Sequence, residues 1–216
     1  EINSKNEELV DKVFKILTKF KNSPKKIKNI FTELFEKDFE VQLNEISKLK
    51  SGLLKGLIIS VKALFDVKGY HTRGGTKFLE TDISLNDAKC ISNIRKAGGL
   101  LLGHTNMTEL AYSGLGINPH YGTPENPFYP NSVPGGSTSG GAVSVALDLS
   151  DIAIGTDTGG STRIPAAFTG ITGFKPTQDS ISRDGVLTLS STLDSVGLMA
   201  KNVKLCKLGY QAMTSK

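Results

Sequence analysis

Cysteine is scarce in this sequence, and long apolar runs are absent. Among 216 residues there are two cysteines, Cys90 and Cys206, and neither belongs to a CxxC or a Cys/His cluster. This pattern excludes a disulfide framework and gives no metal motif, so we expect no metal and a reducing, cytoplasmic compartment. No apolar run is long enough to span a membrane, and the first residues lack the apolar segment of a signal peptide.

A strong charge of one sign is also missing. The 26 Lys and Arg residues exceed the 21 Asp and Glu residues by five, and the two signs are interleaved along the chain. Such a distribution is typical of a solvated surface and lacks the basic stripe that nucleic acid would require. With 38% hydrophobic residues, the chain is long enough for one large or two small globular domains with a sizeable core.

Glycine is absent from the first 50 residues, and all 23 glycines follow Ser51. A change of composition of this kind indicates a boundary in the organisation of the chain. We therefore divide the sequence into an N-terminal helical segment, residues 1–50, and a second domain, residues 51–216.

Two amphipathic helices are predicted in the first segment. A capping-box pattern at Ser4 and Glu7 begins the first helix, and Ser23-Pro24 begins the second. The apolar residues at helical spacing are Leu9, Val13, Ile16, Leu17 and Phe20, then Ile27, Ile30, Phe31, Leu34 and Phe35. Such stripes usually dock on a core, and a helix lying on a membrane surface is the alternative.

From residue 51 onward, short apolar strands alternate with helices. The runs "GLIISV", ending near Lys62, "LLLGHT" and "DIAIGTD" are predicted as strands, and "GGAVSVALDLS" from Gly140 as a helix. Another helix is predicted from a Ser84 and Asp87 cap to the pair Gly98-Gly99. The succession of strand, helix and strand is typical of an α/β fold whose sheet is at least partly parallel.

A loop rich in glycine and serine, "PGGSTSGG", spans Pro134 to Gly141. Its glycines let the backbone approach a ligand closely, as in a phosphate loop at a helix N-terminus. The loop has neither the lysine of a Walker motif nor a GxGxxG, so the sequence gives little support to a nucleotide site. The serines also fall at the wrong offsets for a GxSxG nucleophile elbow.

A second such loop, "GTDTGGSTR", spans residues 155–163 and follows an apolar strand. Its central residues offer successive backbone N–H groups that could hold a developing oxyanion. These donors belong to Thr158, Gly159, Gly160 and Ser161. The Ser161 hydroxyl, at the end of that nest, is placed as a nucleophile would be. A glycine-rich turn between a strand and a short helix is the alternative.

A serine nucleophile needs a base, and histidine is scarce, since His71, His104 and His120 are the only three. His104 follows "LLLG" and precedes a loop, so spacing leaves a Ser-His-Asp triad open. Lys62 is the other candidate, because it ends a run that is apolar but for Ser60. Burial there would lower its pKa and leave a neutral amine near pH 7. A lysine that reaches out to water is the alternative.

Together these stretches resemble the amidase signature family. The similarity includes "GLIISVKALFDVKGYHTRGGT", "VPGGSTSGGAVSVA" and "IAIGTDTGGSTRIPAAFTGITGFKPT", and it ends near Val203. The serine-glycine block followed by DTGGS-x-R is highly specific, and the similarity covers nearly everything after Ser51. It implies an amidase signature fold, a mixed β-sheet core flanked by helices, of which this chain would hold the N-terminal portion.

The resemblance also implies roles for individual residues. The family uses a Ser–Ser–Lys triad, in which Ser161 would be the nucleophile, Ser137 the bridging serine in a cis peptide, and Lys62 the base. The backbone N–H groups of Thr158 and Gly159, together with those of the following Gly160 and Ser161, match the oxyanion hole. The implied reaction is hydrolysis of a carboxamide C–N bond through a seryl acyl-enzyme, with a small-molecule amide as substrate and no cofactor.

Two branches of the family come into question, a free amidase and the glutaminase (A) subunit of a tRNA-dependent amidotransferase. The latter usually reads close to "GSIRQPA" and "KPTYGRVSR", and tends to have "VKDNI", whereas this chain has "GSTRIPA", "KPTQDSISR" and "VKALFDV". These differences favour a free amidase.

Enzymes of this family continue well beyond "STLDSVGLMA", and their later half completes the sheet and lines the pocket. We therefore expect a truncated chain, whose missing second half another polypeptide or a homodimer supplies. A catalytically inactive fragment that only binds a partner is the remaining alternative.

Overall fold

The computed structural model describes residues 2–22, 27, 29–79 and 81–214, with side chains from residue 7 onward within those ranges. The helices are α1 (Ile2–Asn22), α2 (Phe39–Lys48), α3 (Lys89–Lys96), α4 (Ser139–Ala146), α5 (Arg163–Phe168) and α6 (Val203–Thr214). The strands are β1 (Phe31–Leu34), β2 (Ile58–Lys62), β3 (Leu100–Thr105), β4 (Ile152–Asp157), β5 (Thr172–Phe174) and β6 (Ser195–Ala200). Short 3₁₀ turns lie at Glu36–Asp38 and Glu109–Ala111.

The strands of the described residues form one mixed sheet in the order β1-β3-β2-β4-β6-β5. β2 runs parallel to both β3 and β4, whereas β1, β6 and β5 pair antiparallel with their neighbours. β2, β3, β4 and α4 form where the sequence predicts them. The α/β class with a partly parallel sheet is therefore confirmed.

Helices cover both faces of the sheet. Successive residues of a strand point to opposite faces, and on β4 the Ala153 side chain packs with Ala142 and Val145 of α4. Its neighbour Ile152 lies on the other face, beside Gly209 of α6. β2, β3 and β4 are buried along their whole length, which explains their near-continuous apolar runs. A polar side chain at the centre of this sheet is therefore shielded from water.

The first predicted helix is confirmed. α1 buries Leu9, Val13 and Ile16 in the core, and the other apolar residues of its stripe pack partly buried against them. Docking on the core, rather than on a membrane surface, therefore accounts for this stripe. Ser4 lies within α1, but its side chain is outside the described residues, and so is the predicted cap.

The second predicted helix is wrong where the structure describes it. Phe31–Leu34 form strand β1, which pairs antiparallel with β3 at the edge of the sheet. Ile30 and Phe35, on either side of the strand, are fully buried in the core. Pairing with β3 overrode a local pattern that also suited a helix, as is common for strands. Ser23-Pro24, where this helix was expected to begin, lies outside the described residues.

The predicted cap of α3 is also wrong, although its end is confirmed. The helix begins at Lys89 without a side-chain cap. The Asp87 carboxylate instead accepts hydrogen bonds from the backbone N–H of Lys68 at 2.9 Å and from Arg95 Nε at 2.9 Å. Gly98, just past the helix, has a φ of 85°, the left-handed conformation that favours glycine at a helix end.

Both cysteines are buried and free of disulfide bonds. Burial raises the pKa of both thiols, which keeps them protonated near neutral pH. Across residues 2–22, 27, 29–79 and 81–214, the structure contains no helix that is both long and apolar enough to cross a bilayer.

Candidate active site

Lys62 lies at the carboxyl end of the central strand β2 and has no solvent exposure. Its amine donates hydrogen bonds to Ser137 Oγ at 2.8 Å and to Thr156 Oγ1 at 2.9 Å. Thr156 belongs to β4, the strand next to β2 in the sheet. Two hydroxyl groups thus hold a lysine in a place that its own charge disfavours.

Burial lowers the pKa of the Lys62 amine from 10.5 to about 7, and the negative charges of Asp157 and Asp194 oppose that shift. Removal from water destabilises the ammonium relative to the neutral amine. Near neutral pH the amine is therefore present in both forms, as a general base requires.

Ser137 sits in the glycine- and serine-rich loop that leads into α4, and its side chain is fully buried. The Gly136–Ser137 peptide bond is cis. Neighbouring backbone bonds hold this loop in place, since Gly136 N donates to Gly114 O at 2.8 Å and Thr108 N donates to Ser137 O at 3.0 Å. These contacts aim the Ser137 hydroxyl at the sheet centre rather than at solvent.

The second glycine-rich loop connects β4 to α5 and carries the predicted nest of donors. The backbone N–H groups of Gly159, Gly160 and Ser161 donate to no other residue that the structure describes. Gly160 has a φ of 132°, and a Cβ there would lie 2.8 Å from the Ile164 side chain. A turn with unused donors and little side-chain bulk is suited to binding an oxyanion.

A buried carboxylate braces this loop. Asp157 has no solvent exposure and receives Arg163 Nε at 3.0 Å and Nη2 at 2.8 Å. The backbone N–H groups of Thr162 and Arg163 also donate to its Oδ2. Burial alone would raise the pKa of Asp157, but Arg163 and these two donors outweigh it and the pKa is lowered. The loop is therefore fixed at both of its ends.

Ser161 is 9% exposed and lies at the wall of an open cleft of about 350 Å³. The cleft is lined by Ala111, Tyr112, Ser113, Gly114, Thr158, Gly159, Ser161, Ile164 and Leu189. None of these side chains is charged, so the cleft suits a neutral group. Of the other predicted oxyanion-hole residues, Gly160 does not line this cleft.

The two loops meet through the backbone, since Thr138 N donates to Ser161 O at 3.2 Å. The structure joins Lys62 to Ser137, but no hydrogen bond links the hydroxyls of Ser137 and Ser161 in the described part of the chain. The predicted residues thus gather around one cleft, with the first link of the relay made and the second not made.

The histidine alternative finds no support in the contacts. His104 is buried, its Nε2 lies 3.1 Å from Phe65 O, and its ring contacts Phe35 edge-on. Burial lowers the pKa of His104 to about 4. His71 and His120 contact other loops, and none of the three histidines is hydrogen-bonded to either serine among the described residues.

Sequence reasoning missed three residues that shape the site. Thr156 holds the lysine amine, Asp157 braces the donor loop, and Asp194 accepts the Thr158 hydroxyl at 2.6 Å. Thr156 and Asp157 could have been found, because they stand in "GTDTGGSTR" and carry the polar side chains of that strand end. Asp194 lies 33 positions beyond Ser161 in sequence, and only the fold brings it close.

Within the ranges given above, the structure has no group of three or more His, Cys, Asp or Glu side chains placed to hold a metal ion. The polar groups of the cleft are instead hydroxyls and backbone N–H donors. A layered α/β fold that holds a serine above a glycine-rich turn, beside a buried lysine, is typical of hydrolases that use a serine nucleophile.

The chain belongs to the Amidase family, whose sequence model matches residues 11–216. Among its relatives, the A chain of glutamyl-tRNA(Gln) amidotransferase from Ralstonia nicotianae is 43% identical over 163 residues, which make up 76% of this chain and 33% of that protein. Amidase 1 of Arabidopsis thaliana is 44% identical over 156 residues, or 71% of this chain and 37% of that protein.

Solved structures agree with this assignment. The native peptide amidase from Stenotrophomonas maltophilia is similar with a TM-score of 0.85 and 30% sequence identity, over 97% of this chain and 44% of that chain. The chain thus spans about a third to somewhat under half of the length of these relatives. The resemblance to the amidase signature family and the corresponding fold are confirmed.

Proposed function

We propose that this chain carries the catalytic groups of an amidase, which hydrolyses the C–N bond of a carboxamide through a seryl acyl-enzyme. The observation that carries the proposal is the fully buried Lys62 amine, 2.8 Å from Ser137 Oγ. A lysine at the centre of a sheet is costly to stability, and its position beside two hydroxyls suits proton transfer at neutral pH.

In the proposed reaction, Ser161 is the nucleophile, Ser137 relays protons and Lys62 is the base. The neutral Lys62 amine takes the Ser137 proton while Ser137 takes the Ser161 proton, and Ser161 Oγ bonds to the amide carbon. The C–N bond then breaks, and the leaving amine receives a proton from Ser137, which Lys62 restores. Water attacks the ester along the same proton path and releases the carboxylic acid.

The oxyanion of each tetrahedral intermediate would be held by the backbone N–H groups of Thr158, Gly159, Gly160 and Ser161. Support comes from the unused donors of Gly159 to Ser161 and from the ion pair that braces their loop. One such donor is worth about 2.7–4 kcal/mol of transition-state stabilisation in a comparable enzyme. These donors require no metal or organic cofactor.

A small neutral carboxamide in the cytoplasm is the proposed substrate class. The cleft beside Ser161 is lined by apolar and hydroxyl side chains and has no charged side chain among its described walls. This favours a free amidase over a glutaminase, because glutamine brings an α-ammonium and an α-carboxylate that would need charged partners. The similarity to an amidotransferase keeps the glutaminase as the second candidate.

The nucleophile is tested with a tagged fluorophosphonate, which bonds covalently to an activated serine. The 216-residue chain should be labelled, and peptide mapping by mass spectrometry should place the label on Ser161. Ser161→Ala should lose the label, whereas the control Ser47→Ala, on α2, should keep it. A folded chain without label, or a Ser161→Ala variant that is still labelled, contradicts the proposal and favours an inactive fragment.

The substrate class is tested by ammonia release. We expect release from neutral aliphatic or aryl carboxamides by the chain alone. Release from glutamine only, and only in the presence of the partner proteins of an amidotransferase, would favour the second candidate.

A further inference from the structure

Asp194 is a buried carboxylate to which the proposed mechanism gives no role. It lies directly before β6, is 4% exposed, and receives three hydrogen bonds. Thr158 Oγ1 donates to its Oδ1 at 2.6 Å, and the backbone N–H groups of Leu189 and Ser190 donate to its Oδ2 at 2.8 and 3.0 Å. A carboxylate with this many donors is held in a single place.

These bonds join two segments that both face the cleft. Thr158 begins the turn of unused backbone donors, and Leu189 lines the cleft together with Ser161. Leu189 also lines a neighbouring cleft of about 550 Å³. A shift of Asp194 would therefore move the proposed oxyanion turn and a wall of the cleft together.

The Asp194 charge also acts on Lys62. Two acidic groups oppose the effect of burial on the lysine, Asp157 first and Asp194 second, and each raises its pKa. Asp157 is paired with Arg163, which offsets part of its charge. The donors to Asp194 are neutral, so its charge stands without a counter-ion among its hydrogen-bond partners in the described part of the chain.

We propose that Asp194 is a positioning residue of the amidase site, which ties the Thr158–Ser161 turn to the Leu189 wall and places a negative charge within reach of Lys62. This inference rests on the proposed function. It separates into two parts, a mechanical one carried by the bond to Thr158 and an electrostatic one carried by the charge.

Three variants separate these parts. In Asp194→Asn, the amide oxygen can accept the two backbone donors and the amide nitrogen can donate to the Thr158 hydroxyl, so the contacts are retained and the charge is lost. In Thr158→Val, the charge is retained and the contact is lost. Ser190→Ala is the control, because it leaves the backbone donor of residue 190 in place.

The rate of fluorophosphonate labelling is measured from about pH 5 to about pH 10 for each variant. For Asp194→Asn we expect the acidic limb of the profile to move to lower pH by about half a unit or more, with the plateau largely retained. For Thr158→Val we expect an unmoved limb and a plateau lowered about tenfold, in kinact rather than in KI. Ser190→Ala should match the parent chain.

NMR titration of the Lys62 amine gives a readout that does not need activity, and its midpoint should fall in Asp194→Asn alone. Absence of label in the parent chain would refute the proposed function, while the titration would still decide the electrostatic part. An unmoved midpoint and limb in Asp194→Asn, or an unchanged plateau in Thr158→Val, overturns the inference.

Discussion

The centre of the sheet and its β1 edge differ in how their structure is specified. β2 and β4 are buried throughout and form where their own apolar runs predict them. β1 carries a pattern that also suits a helix, and it becomes a strand by pairing with β3. Local sequence therefore decides structure where burial is complete, whereas tertiary pairing decides it at the edge.

The largest effect is expected for Gly140→Ala, at the start of α4. A Cβ there would overlap the Ile30 carbonyl oxygen and lie 2.7 Å from Asn106 N, and both are backbone atoms that cannot yield. We expect a loss of more than about 4 kcal/mol in the free energy of unfolding, or no folded protein. Urea unfolding followed by circular dichroism measures this.

Gly159→Ala is the matched control for packing, because a Cβ at Gly159 meets nothing within 4 Å. Its unfolding free energy should stay within about 0.5 kcal/mol of the parent value. Equal losses in the two variants would show that the packing of the serine loop against Ile30 does not hold the centre together.

The next effect concerns Lys62→Met. Labelling of Ser161 should fall by about 10²–10⁴-fold, the usual contribution of a general base. The stability of the parent chain should also depend on pH, because the pKa of Lys62 is about 7 in the folded state and 10.5 for an ordinary lysine. Between these values the unfolded chain binds the additional proton, so the parent chain gains stability as pH rises.

Lys62→Met lacks this titration. Its stability relative to the parent should therefore decline from about pH 7 toward about pH 10, by up to about 1.4 kcal/mol per pH unit. Urea unfolding at several pH values across this range measures the slope. Parallel curves for the two proteins would mean that the lysine is not held in a desolvated place.

A smaller effect is expected for Asp157→Asn, which removes the charge that Arg163 and two backbone donors hold. We expect a loss of about 2 kcal/mol at neutral pH. Because the pKa of Asp157 is lowered below 3.8, the contribution is present above that pH and should fade as pH drops through the acid range. Thermal unfolding at neutral pH and at about pH 3 measures the difference.

The smallest effect is expected for Asp179→Asn. Asp179 pairs with Arg183 at the surface, where its side chain is 67% exposed. Exposed ion pairs contribute little, so we expect a change below about 0.5 kcal/mol in the same assay. A loss equal to that of Asp157→Asn would remove the contrast between the centre and the surface.

Much of the fold could be predicted from the sequence, since buried strands, the helix α4 and the glycine turn at Gly98 have clear local patterns. Lys62 and the two serine loops could be found through residue pattern and family resemblance. β1 could not, because its hydrogen-bonding partner is about 70 residues away in sequence. The role of Asp194 was hidden for the same reason, since its contact to Thr158 exists only after β4 and β6 have paired.

The most direct test of a buried base is the midpoint at which the Lys62 amine titrates. NMR of the chain labelled with isotopes in lysine can follow it, with the Lys62 signal assigned by its absence in Lys62→Met. We expect a midpoint of about 7, which falls in Asp194→Asn. A midpoint near 10.5, the value of an ordinary lysine, would contradict a desolvated amine at the centre of this site.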